Sequence, residues 1–171
     1  MKENNIKNLK GYVAQCEPRV NILLRNGLDA SDLTFDQLFQ IGFIPKPLYR
    51  AMNNKDFIIT EEGIFTDKGY LSCTSDIDSF ISHVTGDYLA CLQFDIPDEF
   101  SRIDVHQTLP DYNDEKEFIL PRGLKFQVVQ KQKFSTHAEI QEFLDTVQSY
   151  TSARDILEHY NGVFLYKLKS A

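Results

Sequence analysis

The chain has few cysteines, no clustered metal ligands and no long apolar run, and each absence excludes a class of protein. Cys16, Cys73 and Cys91 are three, far apart and without a CxxC pair, so neither a disulfide framework nor a zinc site is implied and a reducing cytoplasm is the expected compartment. His83, His106, His137 and His159 are dispersed at spacings that match no metal motif, so no metal is expected. No glycine-rich fingerprint of a dinucleotide or phosphate loop occurs, which removes both usual nucleotide cradles. No apolar run approaches the roughly 20 residues that span a bilayer, and no basic, apolar and small-residue leader opens the chain. A cytoplasmic protein is expected, or one delivered into a target cell by machinery that needs no cleavable signal, with no membrane partner.

What is present is ordinary globular composition: 171 residues, 42% hydrophobic and 25% charged, enough for one domain over 1–171 with a sizeable core. A net charge of −7 with scattered basic residues disfavours broad attraction to nucleic acid or anionic membrane, although a local basic patch can override it.

Along the chain, Ile6, Leu9, Val13 and Cys16 fall at helical spacing, Pro18 interrupts, and Val20, Leu23 and Leu24 resume until Gly27. Thr34 and Gln37 form a capping-box signature, which predicts a third helix carrying Phe35, Leu38, Phe39 and Ile41 up to Gly42. Residues 1–45 therefore read as helical and 46–171 as β-rich. Short strands are predicted over 47–52, 57–60 and 69–75, then a helix from Asp78 to near Gly86. Tyr88, Ala90, Leu92, Phe94 and Ile96 alternate strictly, predicting a strand with one strongly apolar face. Strands over 102–106, 116–120 and 124–131 follow. Thr136 with Glu139 opens a helix carrying Ile140, Phe143, Leu144 and Val147, a further helix carries Ile156, Leu157 and Tyr160, and 163–168 is a last strand. With no repeat, heptad or low-complexity linker, the fold class is α+β.

Residues 111–123, DYNDEKEFILPRG, put two carboxylates, Glu115 and Glu117, one residue apart at the mouth of a predicted strand, where they project to the same face. Alone, that is how a solvated strand end in an acidic protein looks. Two further pieces precede it in order: Tyr49-Arg50 in a short strand, and Gly69-Tyr70-Leu71-Ser72-Cys73-Thr74-Ser75. Singly, an arginine in a strand is commonly half of a surface ion pair and a Ser/Thr strand end commonly a turn.

In this order the three pieces resemble the mono-ADP-ribosyltransferases of the Arg-Ser-Glu class, a family of bacterial toxins and effectors, phage transferases and vertebrate ecto-enzymes; the resemblance covers about 47–129. It implies an ADP-ribosyltransferase-like fold, two packed, mostly antiparallel sheets around an NAD cleft with N-terminal and flanking helices. It implies cleavage of the nicotinamide–ribose bond of NAD, with Glu117 stabilising the oxocarbenium-like sugar and holding the ribose. Ser72 matches the first serine of the Ser-Thr-Ser block and would orient Glu117; Arg50 would hold an NAD phosphate, as a planar, permanently charged fork can. Glu115 matches the position that separates transfer to arginine from transfer to asparagine, and Tyr112 the aromatic three residues before it, a platform for the incoming side chain.

The family's pattern is not matched everywhere. Ala51 stands where many members have glycine, leaving its backbone groups to meet the nicotinamide amide. Cys73 and Thr74 replace the last two residues of the block, unless it is read one place later as Cys73-Thr74-Ser75. Phe80 is the candidate for the aromatic that packs on nicotinamide, with a core role as its alternative. The implied partners are NAD and a target protein with an accessible arginine; RNA or DNA as acceptor, simple hydrolysis of NAD, and a non-enzymatic interaction module are the alternatives.

Overall fold

Leu9 and Tyr12 are buried by an N-terminal helix, α1 (Lys2–Val13), and Ile6 and Val13 pack on the same core, as the three- and four-residue spacing requires. The computed structural model describes every residue except Met1, Cys16, Glu17, Ser82, His83 and 113–115. Pro18 sits at the start of α2 (Arg19–Arg25), where a missing N–H costs nothing. Gly27, at φ +69°, supplies the left-handed residue that stops it.

The helix predicted after Thr34 does not form. The chain instead makes two 3-10 turns, Ser31–Leu33 and Asp36–Leu38, and then a strand, β1 (Gln40–Phe43). Thr34 spends its hydroxyl on the Ser31 carbonyl at 3.1 Å rather than on a helix start. Phe35 and Phe39 are drawn into an aromatic cluster, and Ile41, expected in the core, is 77% exposed.

The remaining strands are β2 (Leu48–Asn53), β3 (Ile64–Thr66), β4 (Leu71–Thr74), β5 (Tyr88–Asp95), β6 (Glu99–Asp104), β7 (Glu117–Leu120), β8 (Lys125–Phe134) and β9 (Gly162–Ser170). Short helices α3 (Asp78–Ile81) and α4 (Val105–Thr108) and longer ones α5 (His137–Thr146) and α6 (Ala153–His159) lie between them. Residues 57–60 make only an isolated Ile59–Phe65 bridge. The strand expected over 102–106 begins earlier and ends at Asp104, whose carboxylate accepts from the Gln107 amide at 3.1 Å and starts α4.

Two compact units divide the chain. The first is Met1–Ile44, Thr66–Cys73 and Pro97–Leu124. Its strands follow the order β1-β6-β7-β4, with β1/β6 and β6/β7 antiparallel. Its core joins Leu9, Tyr12, Val20, Phe35, Tyr70 and Ile119.

The second unit is Pro45–Phe65, Thr74–Ile96 and Lys125–Ala171. There Thr74, the last residue of β4, pairs with Tyr49 of β2, and the order continues β5-β9-β8-β3, with β5/β9 parallel and the flanking pairs antiparallel. Tyr49, Ala51, Leu89, Cys91, Val163 and Leu165 point to one face, against Ile140, Phe143 and Ile156 of α5 and α6. Both helices start on the caps the sequence proposes or allows: Thr136 and Glu139 close a full capping box, and Ser152 accepts from the Asp155 amide. On the other face lie Phe57, Phe65, Phe94, Phe126 and Tyr166, in ring contact. β5 is thus apolar on both faces, not one, because it is an interior strand with packing on either side.

The fold class is α+β as expected, and the sheet is mostly antiparallel. The arrangement as two packed sheets is not confirmed, and β4 contributes residues to both units. No helix among the described residues is long and apolar enough to cross a membrane.

Asp78, at the start of α3, takes hydrogen bonds from the Ser149 hydroxyl, the Tyr150 amide and the Thr151 hydroxyl. Burial alone would raise its pKa; these donors outweigh it and hold the carboxyl below its ordinary 3.8. A depressed pKa means stability present above the unfolded-state value and lost as pH falls through the folded one. Asp78→Asn should therefore cost about 1–2 kcal/mol at neutral pH, and urea titrations of variant and wild type should converge as pH drops below 3.8.

Candidate active site

Glu117 is the first residue of β7 and is buried to 9% exposure. Desolvating a carboxylate is costly, so its place at a strand start is a structural commitment. The residue before it, Lys116, has φ +50°, a left-handed conformation uncommon outside glycine. Glu115, the expected acceptor-side carboxylate, lies outside the described residues.

Ser72 is half-buried on β4, the strand next to β7 in the first unit. Its flanking residues Leu71 and Cys73 are buried at 2% and 0%, so alternation turns Ser72 to the opposite face from them. Ser72 Oγ is 2.8 Å from the hydroxyl of Tyr12 on α1.

The block's leading glycine and aromatic have a physical reason in the same place. Asn21 of α2, 2% exposed, accepts from the Tyr70 amide at 2.8 Å and donates to the Tyr70 carbonyl at 2.9 Å. A Cβ on Gly69 would stand 2.6 Å from Asn21 Oδ1, so only glycine admits that contact. The Tyr70 ring stacks on Phe35 at 4.0 Å, and its hydroxyl donates to Asp36 at 2.7 Å. Arg122, of the Pro-Arg-Gly that closes β7, grips the same Asp36 through two hydrogen bonds. Burial, and then the Asp36 carboxylate, push the Tyr70 pKa upward, so this phenol stays protonated. Tyr112 packs on the same core and donates its hydroxyl to the Val13 carbonyl at the end of α1, the helix whose Tyr12 meets Ser72.

Arg50, Ala51, Thr74 and Phe80 belong to the second unit. Arg50 is in the middle of β2, opposite Leu92, half-buried with Nε sealed from solvent. Tyr49 and Ala51 point into the α5/α6 core, so Arg50 faces the other side of the sheet, and Ala51 offers a ligand only its backbone. Thr74 is fully buried and exchanges two hydrogen bonds with the Asp76 backbone, closing the turn after β4. Phe80 packs against the α5/α6 core.

Among the described residues neither thiol is placed as a nucleophile: Cys73 and Cys91 are both fully buried, and burial raises the Cys91 pKa well above its ordinary value. Burial, and then the neighbouring Cys91, raise the Tyr49 phenol to about 12. Among the described residues no three His, Cys, Asp or Glu side chains converge as metal ligands. A cavity of about 530 Å³ in the second unit is lined by Ile81, Val84, Thr85, Gly86 and Tyr160 among others; none of Arg50, Ala51, Thr74 or Phe80 lines it.

Comparison with known proteins decides the family. The sequence model described as ADP-ribosyltransferase exoenzyme matches residues 3–151. The chain belongs to the ADP-ribosyltransferase exoenzyme family. NAD is the substrate of this family, and the activity it supports is that of a toxin-like ADP-ribosyltransferase. No curated protein matches the chain. Among solved structures, Exoenzyme S from Pseudomonas aeruginosa, in complex with human 14-3-3 protein beta and bound to carba-NAD, is 18% identical with a TM-score of 0.60, covering 99% of this chain and 74% of that one. The catalytic domain of VahC from Aeromonas hydrophila is 14% identical (TM-score 0.59), with both chains covered completely. The Clostridium limosum C3 exoenzyme is 13% identical (TM-score 0.55), covering 100% of this chain and 86% of that one. At such identities the likeness is one of fold.

Sequence reasoning passed over Tyr12, Asn21, Asp36 and Arg122 as parts of this site. The usable signal was Asn21, a lone amide inside the apolar run Val20 to Leu24. Gly69→Ala should cost about 1–3 kcal/mol in a denaturant titration, the usual scale for forcing atoms into a packed site. In an Asn21→Ala background the same change should cost markedly less; an undiminished cost would mean that the glycine serves something other than the Asn21 contact.

Proposed function

We propose that this family member cleaves the nicotinamide–ribose bond of NAD and transfers ADP-ribose to an arginine of a target protein, with Glu117 as the group that stabilises the sugar cation. What carries the reading is Glu117 itself, a buried carboxylate at the head of a strand, beside the strand of Ser72. Nicotinamide leaves as a neutral group and the ribose it leaves behind carries positive charge; a fixed carboxylate in a site shielded from water stabilises that charge strongly. Ser72 is the residue proposed to fix the carboxylate, and Arg50 the one to hold an NAD phosphate, since both match the family's motif and both side chains are half-buried.

Thr74 would contribute through the turn it closes and Ala51 through its backbone; Phe80, packed against the α5/α6 core, fits its alternative core role better than that of a ring against nicotinamide. The choice of arginine as acceptor rests on Glu115, where a carboxylate can pair with a guanidinium and draw its proton as it attacks. Tyr112 would present a ring to the same side chain.

Incubation of the protein with labelled NAD and a cell lysate should label protein in a hydroxylamine-sensitive way. Glu117→Gln should reduce nicotinamide release at least about 100-fold; a variant as fast as wild type would refute the assignment. Glu115→Gln is expected to abolish arginine labelling while NAD hydrolysis continues, and equal loss of both would contradict the division of roles. Label removed by nuclease and not by protease would move the acceptor to nucleic acid.

A further inference from the structure

The geometry points to the outer half of β8 as a docking edge for an extended acidic segment of a partner protein, which would add to the sheet as a further strand. β3 is only three residues long, and two main-chain hydrogen bonds, from the Val128 amide to Gly63 and from the Gly123 amide to Asp67, bracket its contact with β8. β8 then breaks register at a bulge between Val128 and Gln130 and continues to Phe134. Past the bulge it pairs with β9 on one side, and among the described residues no strand lies on the other. Val129, Gln130, Lys131, Gln132 and Lys133 are all exposed. Along such an edge alternate residues turn their N–H and C=O groups outward, a ready template for another chain.

Charge selects the kind of chain. From Phe118 to Ala138, and again from His159 to Ala171, there is no Asp or Glu in a protein of net charge −7. β8 and β9, side by side, hold Lys125, Lys131, Lys133, Lys167 and Lys169 with no acid among them. Asp87, the acid next to Tyr88, is paired with Lys55 at 3.3 Å. A lysine on an edge strand commonly serves to repel pairing, and it does so by standing across the edge. Lys131 and Lys133 do not stand there. Opposite Tyr166 and Phe164 in the register, they share one face, and their ammonium groups lean back over rings. Lys131 Nζ lies 5.2 Å from the Phe164 centroid and 5.8 Å from that of Tyr166, and Lys133 Nζ lies 5.0 Å from Tyr88 and 5.6 Å from Phe164. The backbone edge is left clear, with two positive charges beside it on residues two apart. Side chains two apart on an incoming strand repeat at the same spacing on one face, so alternate carboxylates would meet both lysines. The exposed ammonium–ring contacts are weak enough to exchange for ion pairs. Nucleic acid would answer the charge but makes no use of a backbone edge.

A fluorescein-labelled peptide of alternating glutamate and threonine, titrated by anisotropy with the full 171-residue chain, tests the edge. Lys131→Gln together with Lys133→Gln should weaken its binding at least about tenfold, and Lys125→Gln together with Lys169→Gln less than about threefold. Both pairs remove the same charge, so only the first should matter if the edge is the site. In the wild-type chain, saturating peptide should slow amide hydrogen exchange within residues 129–133 at least about tenfold, which attraction without strand pairing would not do. No binding of the peptide, equal losses in the two pairs, or binding that leaves those amides unprotected would each overturn the proposal. So would an oligothymidylate of equal charge that binds more tightly than the peptide through the same two lysines. The experiment uses neither NAD nor Glu117, so it stands or falls apart from the activity proposed above.

Discussion

The backbone of Tyr70 is buried where no strand partner meets both its polar groups, and a buried amide and carbonyl each cost about 1–3 kcal/mol if left unpaired. Asn21 meets both, standing in for a strand on the side where α2 packs. That single exchange dictates its surroundings. The position before must be glycine, because any side chain would occupy the amide's space. α2 must follow α1 closely enough for Tyr12 and Asn21 to reach the same residue. The ring of Tyr70 is then delivered onto Phe35, and its hydroxyl onto Asp36 and Arg122. β4 is thus clamped at its start from three directions, and Ser72 inherits a fixed position two residues on.

Much of this molecule was legible because local signals and tertiary packing agree. The Thr136–Glu139 box and the apolar stripe of α5 reinforce each other, and the parity of Val163, Leu165, Phe164 and Tyr166 on β9 matches two real faces. Where local and tertiary demands compete, the sequence misleads. Thr34 and Gln37 have the spacing of a helix start, yet the stacking of Phe35 and Phe39 with Tyr70 rewards a pair of tight turns more than a helix would. Asp104 reads as a strand residue until its carboxylate caps α4. Ile58, 75% exposed beside the buried Phe57, shows that an apolar residue in a strand-like run need not be buried.

The candidate site divides in the same way. Arg50, the Ser72 block and the Glu117 strand were recognisable since each is a contiguous stretch of sequence that matches the family's motif. Tyr12 and Asn21 meet the Ser72 block from 49 to 60 positions away, and a contact of that kind is defined by the fold alone. In α1 and α2 they look like ordinary members of amphipathic helices.

Three carboxylates of the chain show how differently the same group can be used. Asp36 is about half exposed and paired with Arg122, an arrangement worth little in energy but able to hold a turn in register. Asp78 sits among donors that keep it ionised, and serves as a joint between α3 and the segment after α5. Glu117 is more deeply buried than either, at a strand start approached through a left-handed lysine. An apolar residue there would avoid the desolvation cost altogether, and β7 continues with three of them. A carboxylate kept in such a place answers to something other than stability, and the proposed stabilisation of a ribose cation would be a demand of that kind.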